Sequence, residues 1–217
     1  MFFQRVLKGV PAATGQVPGP TDEWASDAVA SDGIICNWWQ NKPGGTISPQ
    51  EIQAKLSERA LYDHLVRYEK VGAETPFLST TAGTVERWVA AKRNVFFPPM
   101  HTALRFATRD FSQDGYVVHA YLYTLGKKSV ELEEFAEEVR DVNTYTAFYA
   151  WHPEGEIVAK IMIPARRIEK IERYALEGLR DQLKRGRLPE PVAVFSEPAV
   201  YRDPLQYANV RGFPEIA

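Results

Sequence analysis

The stretch YAWHPEGEIVAKIMIP, residues 149–164, carries the pattern that decides the expected fold. Glu154 and Glu156 flank a single glycine, and a run of alternating apolar and polar residues follows until Pro164. A short run of this kind, rich in β-branched residues and bounded by turn-forming ones, predicts a strand. Carboxylates are rarely buried without a partner. The acidic pair at the start of this strand is therefore either a strand-entry turn with two exposed acids or a functional site.

Length and composition are those of a single folded domain. The chain has 217 residues, 45% of them hydrophobic, which is enough to bury a sizeable core. Its formal charge of −2 does not indicate a polyanionic partner. The lone Cys36 and the absence of a secretory signal predict a reducing compartment such as the cytoplasm. No run approaches the roughly 18 apolar residues of a spanning helix, so we expect no membrane segment.

The order of elements predicts an α+β fold with mixed, largely antiparallel sheet. Residues 1–32 are interpreted as an irregular N-terminal segment, because Pro, Gly and small polar residues dominate 11–22, and 33–217 as one domain. A helical region from the capping box of Ser48 and Glu51 is expected to run to about Lys70. Further strands are predicted at 33–39, 75–81, 115–125, 156–164, 168–174 and 192–196. Further helices are predicted at 100–111 and 129–141, and a last one from 175 that Gly186 and Pro189 stop.

Three short motifs occur in a distinctive order: LYDH (61–64), FLSTT (77–81) and EGEIVAKIMIP (154–164). Together they resemble the cholera, heat-labile enterotoxin and pertussis toxin group of ADP-ribosyltransferase A domains. In that group a helix with a Leu-x-Asp-His or Leu-Tyr-Asp-His stretch precedes a strand ending in Ser-Thr-Ser. A Glu-x-Glu or Gln-x-Glu comes much later, at the start of another strand. Glu156 lies eight positions before Pro164, as the final glutamate does in that group. The likeness runs from about Gly33 to Tyr174.

The resemblance implies an ADP-ribosyltransferase fold, with sheets packed around an NAD cleft and flanking helices, over 33–217. NAD would be the co-substrate, and a macromolecule, expected to be a protein arginine, would accept the ADP-ribose. Cleavage of the nicotinamide bond passes through an oxocarbenium-like ribose, which an anion stabilises. Glu156 is the candidate for that role. Glu154 is the candidate for orienting the acceptor and removing its proton.

The resemblance also implies a set of residues that bind the cofactor. His64 corresponds to the histidine that helps to bind the nucleotide. Ser79 would donate a hydrogen bond to the catalytic glutamate and fix its rotamer, since a hydroxyl both donates and accepts. Thr80 and Thr81 would support the strand that carries Ser79 at the cofactor site. Taken alone, His64 is equally an ordinary, partly buried helix histidine, and the hydroxyl run is equally a strand end.

One departure from the group concerns the arginine on its first strand, which binds an NAD phosphate. If 33–39 is that strand, Asn37 or Trp38 takes the arginine's place, and both supply only neutral donors. Arg5 takes the role if the true first strand is N-terminal, and Arg202 lies in a similar local sequence but at the wrong chain position. A relocated arginine, a different mode of NAD binding and a degenerate site all remain open.

Other features narrow the class of protein without deciding it. His101, His119 and His152 lack the spacing of metal ligands, so no metal site is predicted. The disulfide-linked tail of secreted toxins of this group is missing, which fits a cytosolic toxin, an effector delivered into a target cell's cytoplasm or a detached toxin domain. An antitoxin or chaperone would be a fitting partner. The competing functions are NAD glycohydrolysis, a non-catalytic binding module on the same scaffold, and an unrelated α+β domain.

Overall fold

The chain folds as α+β, with helices packed on a largely antiparallel sheet. The computed structural model describes residues 2–15, 17–44, 46–82, 99–124, 138–141, 156–185, 187 and 189–204. Nine strands are found in these ranges: β1 (Phe2–Pro11), β2 (Ile34–Ile35), β3 (Phe77–Ala82), β4 (Gly115–Thr124), β5 (Glu138–Asp141), β6 (Glu156–Lys160), β7 (Met162–Ile163), β8 (Ile168–Tyr174) and β9 (Ala193–Phe195).

Seven of these strands form one sheet in the order β1-β3-β6-β5-β4-β8-β9. Strands β1 and β4 also pair with each other along their whole length, so β1 has a partner on both edges. The pairing of β4 with β5 is parallel, and the other pairings among the described strands are antiparallel. The short strands β2 and β7 form a separate ribbon. The expected α+β class with a mixed, largely antiparallel sheet is therefore confirmed.

Seven α-helices lie within the described residues: α1 (Asp22–Asp27), α2 (Asn37–Gln40), α3 (Pro49–Lys55), α4 (Glu58–Val66), α5 (Tyr68–Val71), α6 (Pro99–Ala107) and α7 (Leu176–Lys184). The capping box predicted at Ser48 is present, since its hydroxyl accepts from the Glu51 N–H while the Glu51 carboxylate accepts from the Ser48 N–H. The predicted helical region is broken after Lys55, and Ser57 caps a new helix, α4. No described helix is long and apolar enough to cross a bilayer.

Strand β4 is covered on both faces, because successive side chains of a strand point to opposite sides. Val118, Ala120 and Leu122 belong to the larger hydrophobic cluster, which also takes in α4 and β6. Val117 belongs to a second cluster, with residues of α6 and α7. This strand therefore joins the two cores, and β1 beside it is held from both sides.

Two glycines allow α6 to lie directly against the sheet. A Cβ on Gly9 of β1 would meet the Ala103 carbonyl oxygen at 2.1 Å, and one on Gly115 of β4 would meet the Ala107 carbonyl oxygen at 1.8 Å. Such distances are far inside van der Waals contact, so a side chain at either position would push the helix backbone away.

The strand that begins with Glu156 ends at a residue with unusual backbone geometry. Ile161 has φ of 62°, in the left-handed region that a β-branched residue rarely adopts. Two backbone hydrogen bonds hold it there: its N–H donates to the Pro76 carbonyl at 2.7 Å, and its carbonyl accepts from the Cys36 N–H at 2.8 Å. The turn separates β6 from β7 and sends the chain out of the main sheet to pair with β2.

Three sequence predictions are corrected by these elements. The segment 1–32 is not irregular throughout, because β1 and α1 lie in it. The strand expected over 33–39 is reduced to Ile34–Ile35 and followed by a helical turn, in which Trp38 N–H donates to the Thr75 carbonyl. The helix expected over 129–141 is wrong for Glu138–Asp141, which form β5. The remainder of that segment lies outside the described residues.

Candidate functional site

The pairing of β3 with β6 brings the second and third sequence motifs together. In this antiparallel register Thr81 lies opposite Glu156, and Ser79 lies opposite Val158. Directly opposite residues in adjacent strands have neighbouring side chains. The hydroxyl run and the glutamate, more than 70 positions apart in the chain, are therefore neighbours. Glu154, the other acid of the predicted pair, lies outside the described residues.

The first motif, LYDH, lies on α4, which places His64 beside the paired strands β3 and β6. Leu61 and Leu65 of this helix are buried in the larger cluster and fix the helix face that carries His64. The imidazole of His64 is 3% exposed and packs against the ring of Phe77, with the two ring centroids 5.7 Å apart. The ring of Tyr68, in α5, lies nearly perpendicular to the imidazole, with the two centroids 5.5 Å apart.

Both ring nitrogens of His64 have hydroxyl partners. Nδ1 lies 2.8 Å from Oγ1 of Thr75, and Nε2 lies 2.9 Å from Oγ of Ser79. The same Nε2 is 4.0 Å from Oε1 of Glu156. His64, Ser79 and Glu156, which the sequence predicted as site residues from three separate motifs, therefore converge at one place.

The imidazole is neutral. Burial, and after it the positive charge of Lys8, lowers the pKa of His64 from its usual 6.5 to about 3. Its 4.0 Å approach to Glu156 is therefore a contact between a neutral ring and a carboxylate, without an ion pair at neutral pH.

The hydroxyl of Ser79 has a different partner from the predicted one. The resemblance implies a hydrogen bond from Ser79 to the glutamate, whereas its hydrogen bond in the structure is to His64 Nε2. Ser79 and Glu156 are thus both neighbours of Nε2 of His64.

Glu156 is 8% exposed and begins a strand whose five residues are all buried. An ionised carboxylate in such surroundings needs compensating charge or hydrogen bonds. Lys8 of β1 provides an opposite charge that interacts with it electrostatically. The Nζ of Lys8 donates to the Ser79 carbonyl at 3.1 Å, so the amine is held against the strand that faces Glu156.

The ammonium of Lys8 is itself perturbed. Desolvation lowers the pKa of Lys8 from 10.5 to about 8, even though the charge of Glu156 acts in the opposite direction. Lys8 therefore carries most of a positive charge at pH 7 and loses it within one to two pH units above.

Thr80 and Thr81 are both buried. The hydroxyl of Thr80 donates to the Ile157 carbonyl at 2.7 Å and so ties β3 to β6 next to the glutamate. This contact gives Thr80 a supporting function in the strand pair. A direct contact of Thr80 or Thr81 with a cofactor stays a prediction.

The four positions considered for a phosphate-binding arginine have other partners. Arg5 pairs with Glu169 at the surface, at 3.3 Å. The Asn37 side chain donates to the Gly72 carbonyl at 2.7 Å, and Trp38 is buried under the ammonium of Lys55. For Arg202, the described contact is its backbone N–H with the Arg166 carbonyl. Among the described residues, Lys8, three residues after Arg5, is a cation that interacts with Glu156.

Two residues of the group were missed at the sequence level. Lys8 lies in the segment 1–32, which the sequence predicts to be irregular, and Thr75 lies at the predicted start of a strand. The signal for Lys8 is a single lysine inside the apolar run VLKGV, at 6–10. Thr75 has no comparable signal, because only the fold brings it to His64.

Comparison with known proteins does not assign this group of residues. No protein-family model matches the chain, and no curated protein matches it. Among the described residues no group of three or more His, Cys, Asp and Glu side chains is arranged to hold a metal ion.

Proposed function

We propose that the chain is an NAD-dependent mono-ADP-ribosyltransferase with an ADP-ribosyltransferase fold. The observation that carries the proposal is the convergence of His64, Ser79 and Glu156, with Nε2 of the histidine 2.9 Å from the serine hydroxyl and 4.0 Å from the glutamate. These residues come from three motifs that resemble one family in order and spacing. Chance occurrence of the three motifs would not by itself bring these residues together.

Glu156 is the residue expected to promote cleavage of the nicotinamide bond. As that bond breaks, positive charge develops on the ribose, and a fixed carboxylate stabilises the charge more in the transition state than in the bound substrate. Burial keeps water from screening this interaction, which strengthens it. A carboxylate can also accept a hydrogen bond from the ribose 2′-hydroxyl and orient the sugar.

Lys8 is the residue that we propose to take the place of the family's arginine. NAD carries an anionic diphosphate, and a lysine ammonium binds phosphate oxygens as a point charge. Lys8 lies on the first strand, as that arginine does, and its charge interacts with Glu156. Because an ammonium lacks the planar fork of a guanidinium, we expect looser NAD binding than an arginine would give.

Glu154 is proposed to prepare the acceptor, since it is two residues before Glu156 in the chain. A carboxylate there would pair with a guanidinium and remove its proton during attack on the ribose. The proposed acceptor is accordingly an arginine of a protein.

The test is to incubate the purified protein with NAD labelled in its adenine portion and to follow two products. Released nicotinamide reports cleavage, and label on protein in a cell lysate reports transfer. We expect both in the wild type, and we expect Glu154→Gln to lose transfer while it retains much of the nicotinamide release. Nicotinamide without labelled protein would make the chain an NAD glycohydrolase. Binding of NAD without cleavage would make it a binding module, and no binding would refute the proposal.

A further inference from the structure

The imidazole of His64 is held between two hydroxyl groups in the interior of the protein. Thr75 Oγ1 lies 2.8 Å from Nδ1, and Ser79 Oγ lies 2.9 Å from Nε2. A neutral imidazole carries one proton, on either nitrogen, and a hydroxyl can donate or accept. The two distances are therefore compatible with both tautomers, and other groups must select between them.

The hydrogen-bond partners of Thr75 favour the tautomer in which Nδ1 of His64 is unprotonated. Its hydroxyl oxygen already accepts from the Phe77 N–H at 3.3 Å, and the residue is only 2% exposed. If Nδ1 of His64 carried the proton, Thr75 would accept a second time, and its own hydroxyl proton would have no acceptor among the described residues. A buried donor without an acceptor costs free energy. If Nδ1 is unprotonated, the Thr75 hydroxyl donates to it while its oxygen still accepts from the Phe77 N–H, so the buried hydroxyl of Thr75 is satisfied.

The carboxylate of Glu156 favours the same tautomer, with the proton on Nε2. Its Oε1 lies 4.0 Å from Nε2 of His64, and the residue is buried. An N–H bond at Nε2 presents positive charge toward this anion, whereas a lone pair at Nε2 would be repelled by it. The contacts of Thr75 and of Glu156 favour this tautomer independently, because they lie on opposite sides of the ring.

We propose that Thr75 is a positioning residue that holds His64 as the Nε2–H tautomer, so that His64 donates to Ser79 and leaves the Ser79 hydroxyl proton free of the imidazole. That proton is then available to the carboxylate of Glu156 or to a ribose hydroxyl bound against it. In the opposite tautomer the Ser79 hydroxyl would donate its proton to Nε2. The tautomer follows from the contacts alone, whereas its benefit to catalysis rests on the proposed function.

The tautomer is measured directly by long-range proton–nitrogen NMR on protein labelled with ¹⁵N-histidine. The His64 signals are assigned by their loss in His64→Gln. We expect an Nε2 resonance of the protonated kind and an Nδ1 resonance of the unprotonated kind at pH 7. A protonated Nδ1, or protons on both nitrogens, would overturn the proposal without any reference to activity.

Two matched variants test the part assigned to Thr75. Thr75→Val keeps the shape but removes the hydroxyl, so the Nδ1 resonance should move as its hydrogen bond is lost. Thr75→Ser keeps the hydroxyl and should give a spectrum like the wild type. An unchanged Nδ1 resonance in Thr75→Val would show that Thr75 does not hold the ring.

The catalytic consequence is read from nicotinamide release by the same variants. Thr75→Val should lower kcat by roughly tenfold with a smaller change in KM, because one oriented hydrogen bond is lost, and Thr75→Ser should stay within about twofold. If the wild type shows the Nε2–H tautomer but cleaves no NAD, the proposed function fails and the tautomer stands. If the wild type cleaves NAD with Nδ1 protonated, the function stands and this inference fails.

Discussion

The neutral, buried imidazole of His64 should make the protein less stable in mild acid. The pKa of His64 is about 3 in the folded chain and 6.5 in an ordinary setting. Between these values the unfolded chain binds a proton that the folded chain does not, so the free energy of unfolding falls as the pH is lowered. Stability is retained above about pH 6.5 and lost toward pH 3.

The size of the effect can be worked out for a convenient interval. At pH 5 the unfolded histidine lies 1.5 pH units below its ordinary pKa of 6.5, while the folded one is still unprotonated. With about 1.4 kcal/mol per unit, the wild type should lose about 2 kcal/mol between pH 7 and pH 5 through this one residue. That corresponds to a fall in Tm of about 4–8 °C for a domain of this size.

The assay is urea denaturation of the wild type, His64→Gln and His64→Asn at pH 7, 6 and 5. Both variants lack the titrating ring, so their stability should fall by about 2 kcal/mol less than that of the wild type over this interval. The titration of Glu172 lies below this pH interval. Burial opposes the ionisation of Glu172, but hydrogen bonds from His119, Lys170 and Tyr174 hold its pKa at about 2. Its contribution is lost only below its ordinary 4.5. Parallel curves for variants and wild type would refute a neutral His64 and with it the electrostatics of the site.

Three further results are expected. NAD affinity should fall as the pH rises through about 8, because the Lys8 ammonium loses its proton there; titration calorimetry should find no such fall in Lys8→Arg, and a pH-independent affinity in the wild type would exclude Lys8 as the anion-binding group. Gly9→Ala should lower the free energy of unfolding by about 1–3 kcal/mol or more, because its Cβ would meet the Ala103 carbonyl oxygen at 2.1 Å; unchanged urea denaturation would contradict the close packing of α6. Thr80→Val should cost about 1–2 kcal/mol by the same measurement, since it removes the 2.7 Å bond to the Ile157 carbonyl, and a neutral substitution would mean that this bond does not hold the two strands.

Helices with clear caps, and strands made of a short run of β-branched and aromatic residues, could be predicted from the sequence. Ser48 and Glu51 marked the start of α3, and the hydroxyl run ending at Thr81 marked β3. In each case the signal is local, because a cap or a short β-branched run depends on residues that are close in the chain.

Strand β1 escaped prediction for a physical reason. Val6 lies in the larger hydrophobic cluster, while the next residue, Leu7, packs against the second cluster. A strand covered on both faces loses the alternation by which strands are detected. Because Lys8 lies on this strand, the sequence did not identify it as a cation of the candidate site.

Tertiary contacts also override local preference at two other segments. The aromatic run at 33–39 has strand-forming residues, but the Asn37 side chain donates to the Gly72 carbonyl and stabilises a helical turn instead. The acidic segment that ends at Asp141 has helical periodicity, yet Glu138–Asp141 pair with both β4 and β6. In neither case are the deciding partners close in the sequence.

The candidate site was predictable as a set of residue types but not as a set of contacts. The motifs named His64, Ser79 and Glu156, whereas only the fold shows that the serine hydroxyl bonds the histidine. Thr75, which bonds the other side of the ring, has no sequence signal at all. Hydrogen-bond partners of a buried ring depend on the packing of α4 against β3, which a linear pattern does not encode.

The most direct test of the account is nicotinamide release by Glu156→Gln, measured together with NAD binding by calorimetry. Glutamine keeps the size of the side chain and removes its charge, so NAD should still bind while cleavage falls by at least about 100-fold. The control is Glu74→Gln, the same chemical change at a surface carboxylate paired with Lys55, which should cleave NAD like the wild type. Cleavage by Glu156→Gln at the rate of that control would contradict the central claim that the Glu156 carboxylate stabilises the ribosyl cation.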